Sequence, residues 1–276
     1  MDHKLKTPQQ LFDIAGKVAI VTGALGAFGS VAARTLSAAG CKLVIADDKL
    51  DALSALAADL KNEGGQVEMV GKWPNSPENC AAIIEAAVTA FGRLDILVVA
   101  SGTMDVDPIV DMDVARFENV MRVNVTDSWM MCQAAGRQMI AQNREGKNAE
   151  GKGRGGKVVL VSSARGLLGH PAGYSAYCSS KHAVNGMVKA LGCEWGKEVI
   201  TINALAPTVF RSGQTSWMFE DNELAAETRE SILSRIPLGR LGEPEDLAGP
   251  LLFLVSPASD FHTGQTISPD GGYTAG

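Results

Sequence analysis

The segment KVAIVTGALGAFG, residues 17–29, joins a short run of β-branched residues to a turn that contains three glycines. The apolar run predicts a buried strand, and the Ala-rich segment that follows the turn, up to Gly40, predicts a helix. Glycines at 23, 26 and 29 allow a sharp turn and a close approach of the backbone to a ligand. Because the N-terminus of a helix favours negative charge, this segment predicts a binding site for the pyrophosphate of a dinucleotide.

The same strand signature recurs along the chain. It is found in KLVIAD (42–47), QVEMVG (66–71), LDILVVASG (94–102), GKVVLVSS (156–163) and VITINALAP (199–207). Helical segments such as ENCAAIIEAAVTAFG (78–92) lie between these strands. Apolar strands that alternate with helices predict an α/β fold, and we expect a doubly wound, mostly parallel, seven-stranded Rossmann-type sheet with helices on both faces.

The composition limits the classes to which this protein can belong. The chain has 276 residues, 46% of them hydrophobic, a formal charge of -6 and five scattered cysteines. An acidic chain lacks the basic stripe of a nucleic-acid-binding protein, and no apolar run approaches the ~18 residues of a membrane span. Scattered cysteines without metal-like spacing are typical of a reducing compartment. We therefore expect a cytoplasmic, single-domain protein (residues 1–276) with a small-molecule substrate and no metal, nucleic-acid or membrane partner.

Asp47 stands at the end of the second predicted strand, where a dinucleotide fold contacts the adenosine ribose. A carboxylate there accepts hydrogen bonds from the ribose hydroxyls and repels the 2'-phosphate of NADP. The turn carries no basic residue, and Lys49 is the nearest cation in the sequence. A competing interpretation makes Asp47 the cap of the next helix, but Asp48 can take that role. The sequence therefore favours NAD over NADP as the cofactor.

The segment YSAYCSSK, residues 174–181, contains two tyrosines and one lysine within a predicted helix. Positions four apart share a helix face, so Tyr177 faces Lys181, whereas Tyr174 faces Cys178. An ammonium at ~5 Å in an effective dielectric of ~20 supplies roughly 3 kcal/mol, enough to lower a phenol pKa from about 10 toward 8. We predict that Tyr177 is the acid and base that exchanges a proton with a carbinol or carbonyl oxygen.

Taken together, these features resemble the short-chain dehydrogenase/reductase family. The resemblance covers essentially the whole chain, from LFDIAGKVAIVTGA (11–24) to TGQTISPDGGYTA (263–275). Tyr177 and Lys181 match the YxxxK motif of that family. The resemblance implies that hydride passes between the substrate carbon and a nicotinamide, and that Lys181 also bonds the nicotinamide ribose.

Two further residues complete the catalytic set that the resemblance implies. Ser163 in VSSARG stands where the catalytic serine of the family is expected, and it would hold the substrate oxygen. Asn124 in MRVNVTDSW matches the asparagine of the family's tetrad, and it would hold a water that connects Lys181 to solvent. The alternatives are structural: Ser163 could only satisfy a strand end, and Asn124 could only cap or bridge.

The resemblance also implies a cofactor site with some departures from the family pattern. The implied cofactor contacts are Gly23, Gly26, Ala27, Phe28, Gly29, Asp47, Ala100, Gly102, Tyr177, Lys181, Pro207 and Ser212. Ala27 replaces the middle glycine of the family turn, and Ala100 replaces an asparagine that braces the fourth strand. Trp73 aligns with an aspartate that contacts adenine, and it could either stack on the adenine or close the core.

The region after the sixth strand is expected to form a substrate lid around residues 208–235, which excludes water during hydride transfer. Trp217 would belong to this lid, although a lid core or a subunit contact is equally compatible with it. Arg211 could clamp an anionic substrate group, or it could face solvent. His170 and Tyr174, in the loop before Tyr177, are candidate pocket walls.

These observations predict an NAD(H)-dependent oxidoreductase that interconverts a secondary alcohol and a ketone. A sugar, polyol or sugar acid is the expected substrate class, and a cyclic or acyl-type ketone is the alternative. A nucleotide-binding regulatory or structural protein with little turnover is the alternative of another class. The resemblance implies a homotetramer, or a homodimer, packed through the helices around 115–140 and 175–195.

Overall fold

The fold is known from a computed structural model that describes residues 5–146, 155–211 and 213–276. Within these ranges, one sheet is formed by β1 (Val18–Thr22), β2 (Lys42–Ala46), β3 (Gln66–Val70), β4 (Ile96–Val99), β5 (Gly156–Val161), β6 (Ile200–Leu205) and β7 (Thr266–Ile267). The strand order is β3-β2-β1-β4-β5-β6-β7, and each neighbouring pair is parallel. The predicted α/β fold with a parallel seven-stranded sheet is confirmed.

Helices connect the strands and cover the sheet. The described helices are α1 (Pro8–Phe12), α2 (Ala27–Ala38), α3 (Leu50–Asn62), α4 (Pro77–Phe91), α5 (Val114–Met121), α6 (Asp127–Glu145), α7 (Ser175–Trp195), α8 (Glu223–Leu233) and α9 (Pro244–Val255). A π-helical turn, Arg122–Thr126, joins α5 to α6. None of the helices in the described ranges combines the length and the apolar character that crossing a membrane requires.

Two separate cores explain why the central strands are mostly apolar. On one face, side chains of α2, α3 and α9 pack on the sheet with Val21 of β1. On the other face, α4, α6 and α7 pack on the sheet with Ile20, the neighbouring residue of the same strand. Because successive side chains of a strand point to opposite faces, a sheet covered on both faces needs apolar residues at every position.

The parallel arrangement decides where a ligand site can form. All seven carboxyl ends of the described strands lie at one edge of the sheet, and β1 and β4 are neighbours there although β2 and β3 separate them in sequence. Open α/β sheets bind their ligands outside these carboxyl ends, at the point where the strand order reverses. The glycine-rich turn after β1 and the segment after β4 therefore meet at the expected site.

Candidate active site

The glycine-rich turn after β1 lies directly against the backbone that follows β4. Gly23 has a positive φ of 63°, and a Cβ added to it would lie 2.5 Å from the backbone nitrogen of Ser101. A Cβ added to Gly29 would lie 2.0 Å from the carbonyl oxygen of Gly23. Contacts under 3.0 Å with backbone atoms cannot be relieved by moving a side chain, so both positions require glycine. Glycine at these two positions keeps the turn tight, so that its backbone could approach a pyrophosphate closely.

The start of α2 leaves backbone donors available for an anion. Gly26 is the N-cap residue of this helix and supplies no side-chain hydrogen bond to the first turn. Ala27, which replaces the middle glycine of the family pattern, occupies the first helical position with an exposed side chain. Phe28 points the other way and is buried in the core. The helix N-terminus and its dipole therefore face the strand ends without obstruction.

A cavity of about 480 Å³ opens beside this turn. Its wall is formed by Gly23, Leu25, Gly26, Asp47, Asp48, Lys49, Trp73, Asn75, Ala100, Gly102, Thr103, Asn119, Arg122 and Val123. Of the predicted cofactor contacts, it brings together the turn, the end of β2 and the segment after β4. A narrow glycine turn, a free helix N-terminus and a carboxylate at the end of β2 are what a dinucleotide requires, so the residues present fit that group.

Asp47 is buried, and backbone N–H groups hold its carboxylate. Its Oδ2 accepts from Leu25 N at 3.2 Å, and its Oδ1 accepts from Asp48 N at 3.0 Å. Burial raises the pKa of Asp47, and the bonds from Leu25 N and Lys49 N oppose that rise. The expectation that Asp48 caps α3 is wrong: the N-cap residue is Lys49, and no side chain caps the helix. Asp47 thus stays at the cavity wall, but it fixes the turn as well.

Trp73 lines the same cavity and also reaches into the protein. Its indole N–H donates to Oδ2 of Asp127 at 3.1 Å, and Asp127 is fully buried at the start of α6. Arg122, another residue of the cavity wall, lies 3.6 Å from the same carboxylate oxygen. The hydrogen bond to Asp127 therefore fixes the Trp73 indole at the cavity wall, and its role in closing the core stays a prediction. Its contact with an adenine ring stays a prediction.

The catalytic pair lies at the start of α7. Tyr174 is the N-cap residue of this helix, whereas Tyr177 and Lys181 lie one turn apart within it. The Nζ atom of Lys181 is 5.6 Å from the centroid of the Tyr177 ring. The same Nζ donates to the carbonyl oxygen of Val161, the last residue of β5, at 2.8 Å. The predicted juxtaposition of Tyr177 and Lys181 is thus present, and a strand end anchors it.

The pKa values of this pair differ from the simple expectation. Burial raises the pKa of Tyr177, while side-chain hydrogen bonding with Ser163 and the positive charge of Arg165 oppose the rise. Burial lowers the pKa of Lys181 to about 8. The expectation that Lys181 by itself lowers the Tyr177 pKa is therefore wrong, because a site that removes an ammonium from water also removes the phenolate.

Ser163 and Asn124 occupy the two sides of this pair. Ser163 lies two residues beyond the end of β5, and its Oγ accepts from Arg165 N at 3.2 Å, which starts a short 3₁₀ turn. Asn124 is buried in the π-helical turn, a distortion that often marks functional sites. Its amide donates to Thr103 O and Ser180 Oγ, both at 2.9 Å, and its Oδ1 accepts from Thr103 N at 2.8 Å.

These bonds give Asn124 a structural role that the sequence left open. They connect the segment after β4 to α7 and occupy the side-chain amide completely. Gly102 lies close to both Asn124 and Lys181. A Cβ added to it would be 3.1 Å from Asn124 Oδ1 and 3.6 Å from Lys181 Nζ. Asn124 therefore fixes the wall beside Lys181, and a water held by Asn124 stays a prediction.

The predicted residues after β6 are less closely associated with the catalytic pair. Pro207 O accepts from Ala164 N at 2.9 Å, which joins this segment to the turn that follows Ser163. Ser212 lies outside the described residues. Arg211 is exposed, and its Nε lies 3.0 Å from Glu243 Oε1, so a carboxylate of the protein already binds the predicted anion clamp. Trp217 is exposed in a 3₁₀ segment, Gly213–Phe219, that precedes α8.

Of the predicted pocket walls, Tyr174 lies beside Tyr177, and His170 lies beside Tyr174. The ring centroids of His170 and Tyr174 are 4.6 Å apart, and those of Tyr174 and Tyr177 are 6.4 Å apart. Sequence reasoning did not identify Arg165, whose Cζ lies 5.6 Å from the centroid of the Tyr174 ring. Its position two residues after Ser163 was a usable signal. Tyr273, whose hydroxyl accepts from Arg165 NH2 at 2.6 Å, had no local signal at all.

Known proteins match this chain over nearly its whole length. The family model described as enoyl-(acyl carrier protein) reductase matches residues 23–274. An uncharacterized oxidoreductase of Mycobacterium tuberculosis (strain ATCC 25618 / H37Rv) is 47% identical over 266 residues, which cover 96% of this chain and 93% of the relative. The 2-dehydro-3-deoxy-D-gluconate 5-dehydrogenase of Dickeya dadantii (strain 3937) is 33% identical over 278 residues, with coverage of 96% and 98%.

A solved structure agrees with these relatives. The gluconate 5-dehydrogenase of Burkholderia cenocepacia J2315, in complex with NADP and tartrate, superimposes with a TM-score of 0.87. The two sequences are 28% identical, and the match covers 98% of this chain and 100% of that one. The sheet, the helices and the edge of the sheet at which the candidate site lies are therefore shared with a dehydrogenase of known structure.

The burial of Lys181 predicts a specific pH dependence of stability. Its folded pKa of about 8 lies below the value of 10.5 for a free lysine, so between these values the unfolded chain binds more protons. The free energy of unfolding of the wild type, relative to Lys181→Met, should therefore rise by about 2 kcal/mol between about pH 7.5 and 9.5. Urea denaturation of both proteins across that range measures the difference. Lys189→Met, at an exposed lysine of the same helix, is the control, and an equal pH dependence in all three proteins would refute the assignment.

Proposed function

The chain belongs to the short-chain dehydrogenase/reductase family of oxidoreductases, and we propose that it is an NAD(H)-dependent enzyme that interconverts a secondary alcohol and a ketone. The observation that carries the proposal is the arrangement of Tyr177, Lys181 and Ser163. These residues lie at the carboxyl ends of the strands, beside Gly102 in the wall of the cavity that fits a dinucleotide. A phenol, an ammonium and a hydroxyl placed together serve a carbinol oxygen whose proton must leave during oxidation.

The proton transfer can be assigned to residues of the chain. In the direction of oxidation, the Tyr177 phenolate takes the O–H proton of the alcohol while Ser163 donates a hydrogen bond to the same oxygen. NAD, when bound, would supply the hydride acceptor, so that a secondary alcohol would give a ketone, NADH and one proton. Lys181 lies one helical turn away from Tyr177, and its pKa of about 8 would allow it to pass the proton on near neutral pH.

Sugars, polyols and sugar acids are the proposed substrate class. The Dickeya relative is named for a deoxygluconate substrate, and the Burkholderia structure is that of a gluconate dehydrogenase with tartrate, a dicarboxylate. Reduction of a cyclic or acyl-type ketone is the second candidate, since a relative from Rickettsia felis, 32% identical over 262 residues, is named a 3-oxoacyl-[acyl-carrier-protein] reductase. A regulatory nucleotide-binding protein is disfavoured, because binding alone has no use for the catalytic set.

NAD is the proposed cofactor because of Asp47. Its buried carboxylate stands at the end of β2 in the cavity wall, where a 2'-phosphate would meet a negative charge. Lys49 and Arg122, in the same wall, are cations that work against this preference. Family membership leaves the choice open, since the Burkholderia enzyme was solved with NADP.

A homo-oligomer formed through α6 and α7 completes the proposal. Trp129 on α6 is 49% exposed, which suits a contact between subunits. Met131 on the same helix is fully buried within the chain and belongs to the core. A cytoplasmic location, one domain and a lid around residues 208–235 remain parts of this proposal.

Replacement of Tyr177 tests the assignment of the proton carrier. Tyr177→Phe should reduce turnover of a secondary alcohol by a factor of at least ~1000, since it removes the group that takes the proton, and leave the dissociation constant of NAD within about threefold. Reduced-cofactor absorbance with a panel of polyols, sugar acids and cyclic alcohols measures turnover, and calorimetry measures binding.

Tyr174→Phe is the matched variant, expected to change KM more than kcat. Retained turnover in Tyr177→Phe would refute the assignment, and NAD binding without turnover of any panel member by the wild type would favour a regulatory role.

Cofactor choice tests the role of Asp47. The wild type should use NAD with a kcat/KM at least ~10-fold above that for NADP, because the carboxylate repels the 2'-phosphate. Asp47→Ser should raise kcat/KM for NADP, so that the preference for NAD becomes smaller or is reversed. Steady-state kinetics with both cofactors and one alcohol gives the ratio. An NADP preference in the wild-type enzyme would overturn the ribose argument.

A further inference from the structure

The short 3₁₀ turn after Ser163 carries an arginine that has no assigned part in the proton transfer. Arg165 follows Ser163 by two residues, and its guanidinium is held by Gly169 O at 3.2 Å and by the Tyr273 hydroxyl at 2.6 Å. Its Cζ lies 5.6 Å from the centroid of Tyr174, the ring next to Tyr177. A guanidinium has five N–H donors, so these two contacts leave donors free on a side chain already fixed in place.

A second arginine, Arg235, contacts the Tyr273 ring from a different part of the chain. The Cζ of Arg235, just beyond the end of α8, is 4.6 Å from the centroid of Tyr273, and that of Arg165 is 5.2 Å from it. Tyr273 is buried, whereas Arg235 is exposed. Two positive charges are therefore held close to one ring, and like charges at short range repel each other.

No carboxylate of the described residues compensates this pair. In the described ranges, neither Arg165 nor Arg235 has an acidic oxygen within 4 Å. Arg116, by contrast, on α5, forms ion pairs with both Asp105 and Asp107 in the segment after β4. Arg240 forms one with Asp246. Among the described residues, Arg116 and Arg240 thus have acidic partners, whereas the two arginines at the Tyr273 ring have none within 4 Å.

The neighbouring histidine does not supply the missing negative charge either. Burial and the charges of both arginines lower the pKa of His170, so this ring is neutral at physiological pH. Its Nδ1 accepts from Ala172 N at 3.2 Å, which places the ring proton on Nε2. The wall therefore combines two positive charges with a neutral hydrogen-bond donor.

We propose that Arg165 and Arg235 form the subsite for an anionic end of the substrate, so that the enzyme oxidises polyhydroxylated acids in preference to neutral polyols. This inference rests on the proposed alcohol oxidation and narrows its substrate class. A carboxylate matches a guanidinium in two parallel hydrogen bonds and neutralises the repulsion between the two charges. The hydroxyl to be oxidised then lies at Tyr177, a few carbons from the anion. A phosphate would use the same donors, and the experiment separates the two.

Calorimetric titration in the presence of saturating NADH tests the subsite without relying on turnover. The probes are D-gluconate and tartrate as acids, D-glucitol as the neutral match of gluconate, and D-glucitol 6-phosphate as the phosphate. Arg165→Gln and Arg235→Gln should each weaken gluconate about 10- to 100-fold, as expected for one charge-assisted contact, and leave glucitol within about threefold. Arg165→Lys should retain part of the affinity. Arg144→Gln, at an exposed arginine paired with Glu198 near the opposite edge of the sheet, should bind like the wild type.

The outcomes separate the subsite from the proposed function. Any of three results would overturn the subsite. The affinity for the acids could be unchanged in both glutamine variants, the affinity for glucitol could fall as much as that for gluconate, or the wild type could bind no anion. If binding depends on the arginines and is tighter for glucitol 6-phosphate than for gluconate, the subsite is supported and its preferred anion is a phosphate. Arginine-dependent binding of gluconate without its oxidation by NAD or NADP sustains the subsite and refutes the proposed function. Melting temperatures of all variants identify losses that come from the contact between Arg165 and Tyr273.

Discussion

The hydrogen bond from Lys181 Nζ to the carbonyl of Val161 fixes the geometry on which the site depends. It joins the first turns of α7 to the last residue of β5 and keeps an ammonium buried where water is scarce. Tyr177 lies one helical turn before this bond, and Ser163 lies two residues after Val161. Further bonds strengthen the junction: Asn185 Nδ2 donates to Gly166 O at 2.8 Å, beside the 3₁₀ turn that Ser163 begins.

This anchoring has an electrostatic consequence for catalysis. Burial disfavours the charged forms of both Tyr177 and Lys181, so the protein alone does not produce an acidic phenol. Arg165 and Ser163 work in the favourable direction from the substrate side. An enzyme of this design makes its proton carrier fully effective only when cofactor and substrate contribute their charges, which couples binding to chemistry. The anion subsite that we propose would use the same positive charge of Arg165 that assists the phenolate.

The sequence predicted those features whose signals are local. Alternating apolar strands and helices, the glycine turn and the four-residue spacing between Tyr177 and Lys181 each lie within a single short segment, and the structure reproduces their geometry. Features that depend on tertiary contacts were missed or misjudged. Arg165 and Tyr273 are 108 residues apart, and the raised pKa of Tyr177 depends on burial that no spacing reveals. Backbone N–H groups of Leu25 and Asp48 bind the Asp47 carboxylate, and Asp48 does not cap α3, although it was expected to leave Asp47 free for the ligand.

The most direct test is a crystal structure of the enzyme with NADH and a bound hydroxy acid or its keto product. The account predicts that the reacting oxygen lies within hydrogen-bond distance, roughly 2.6–3.2 Å, of both Tyr177 Oη and Ser163 Oγ. Lys181 Nζ should remain close to the Tyr177 ring and reach the nicotinamide ribose. A reacting oxygen held by other groups, with the phenol turned away from the cofactor, would contradict the account.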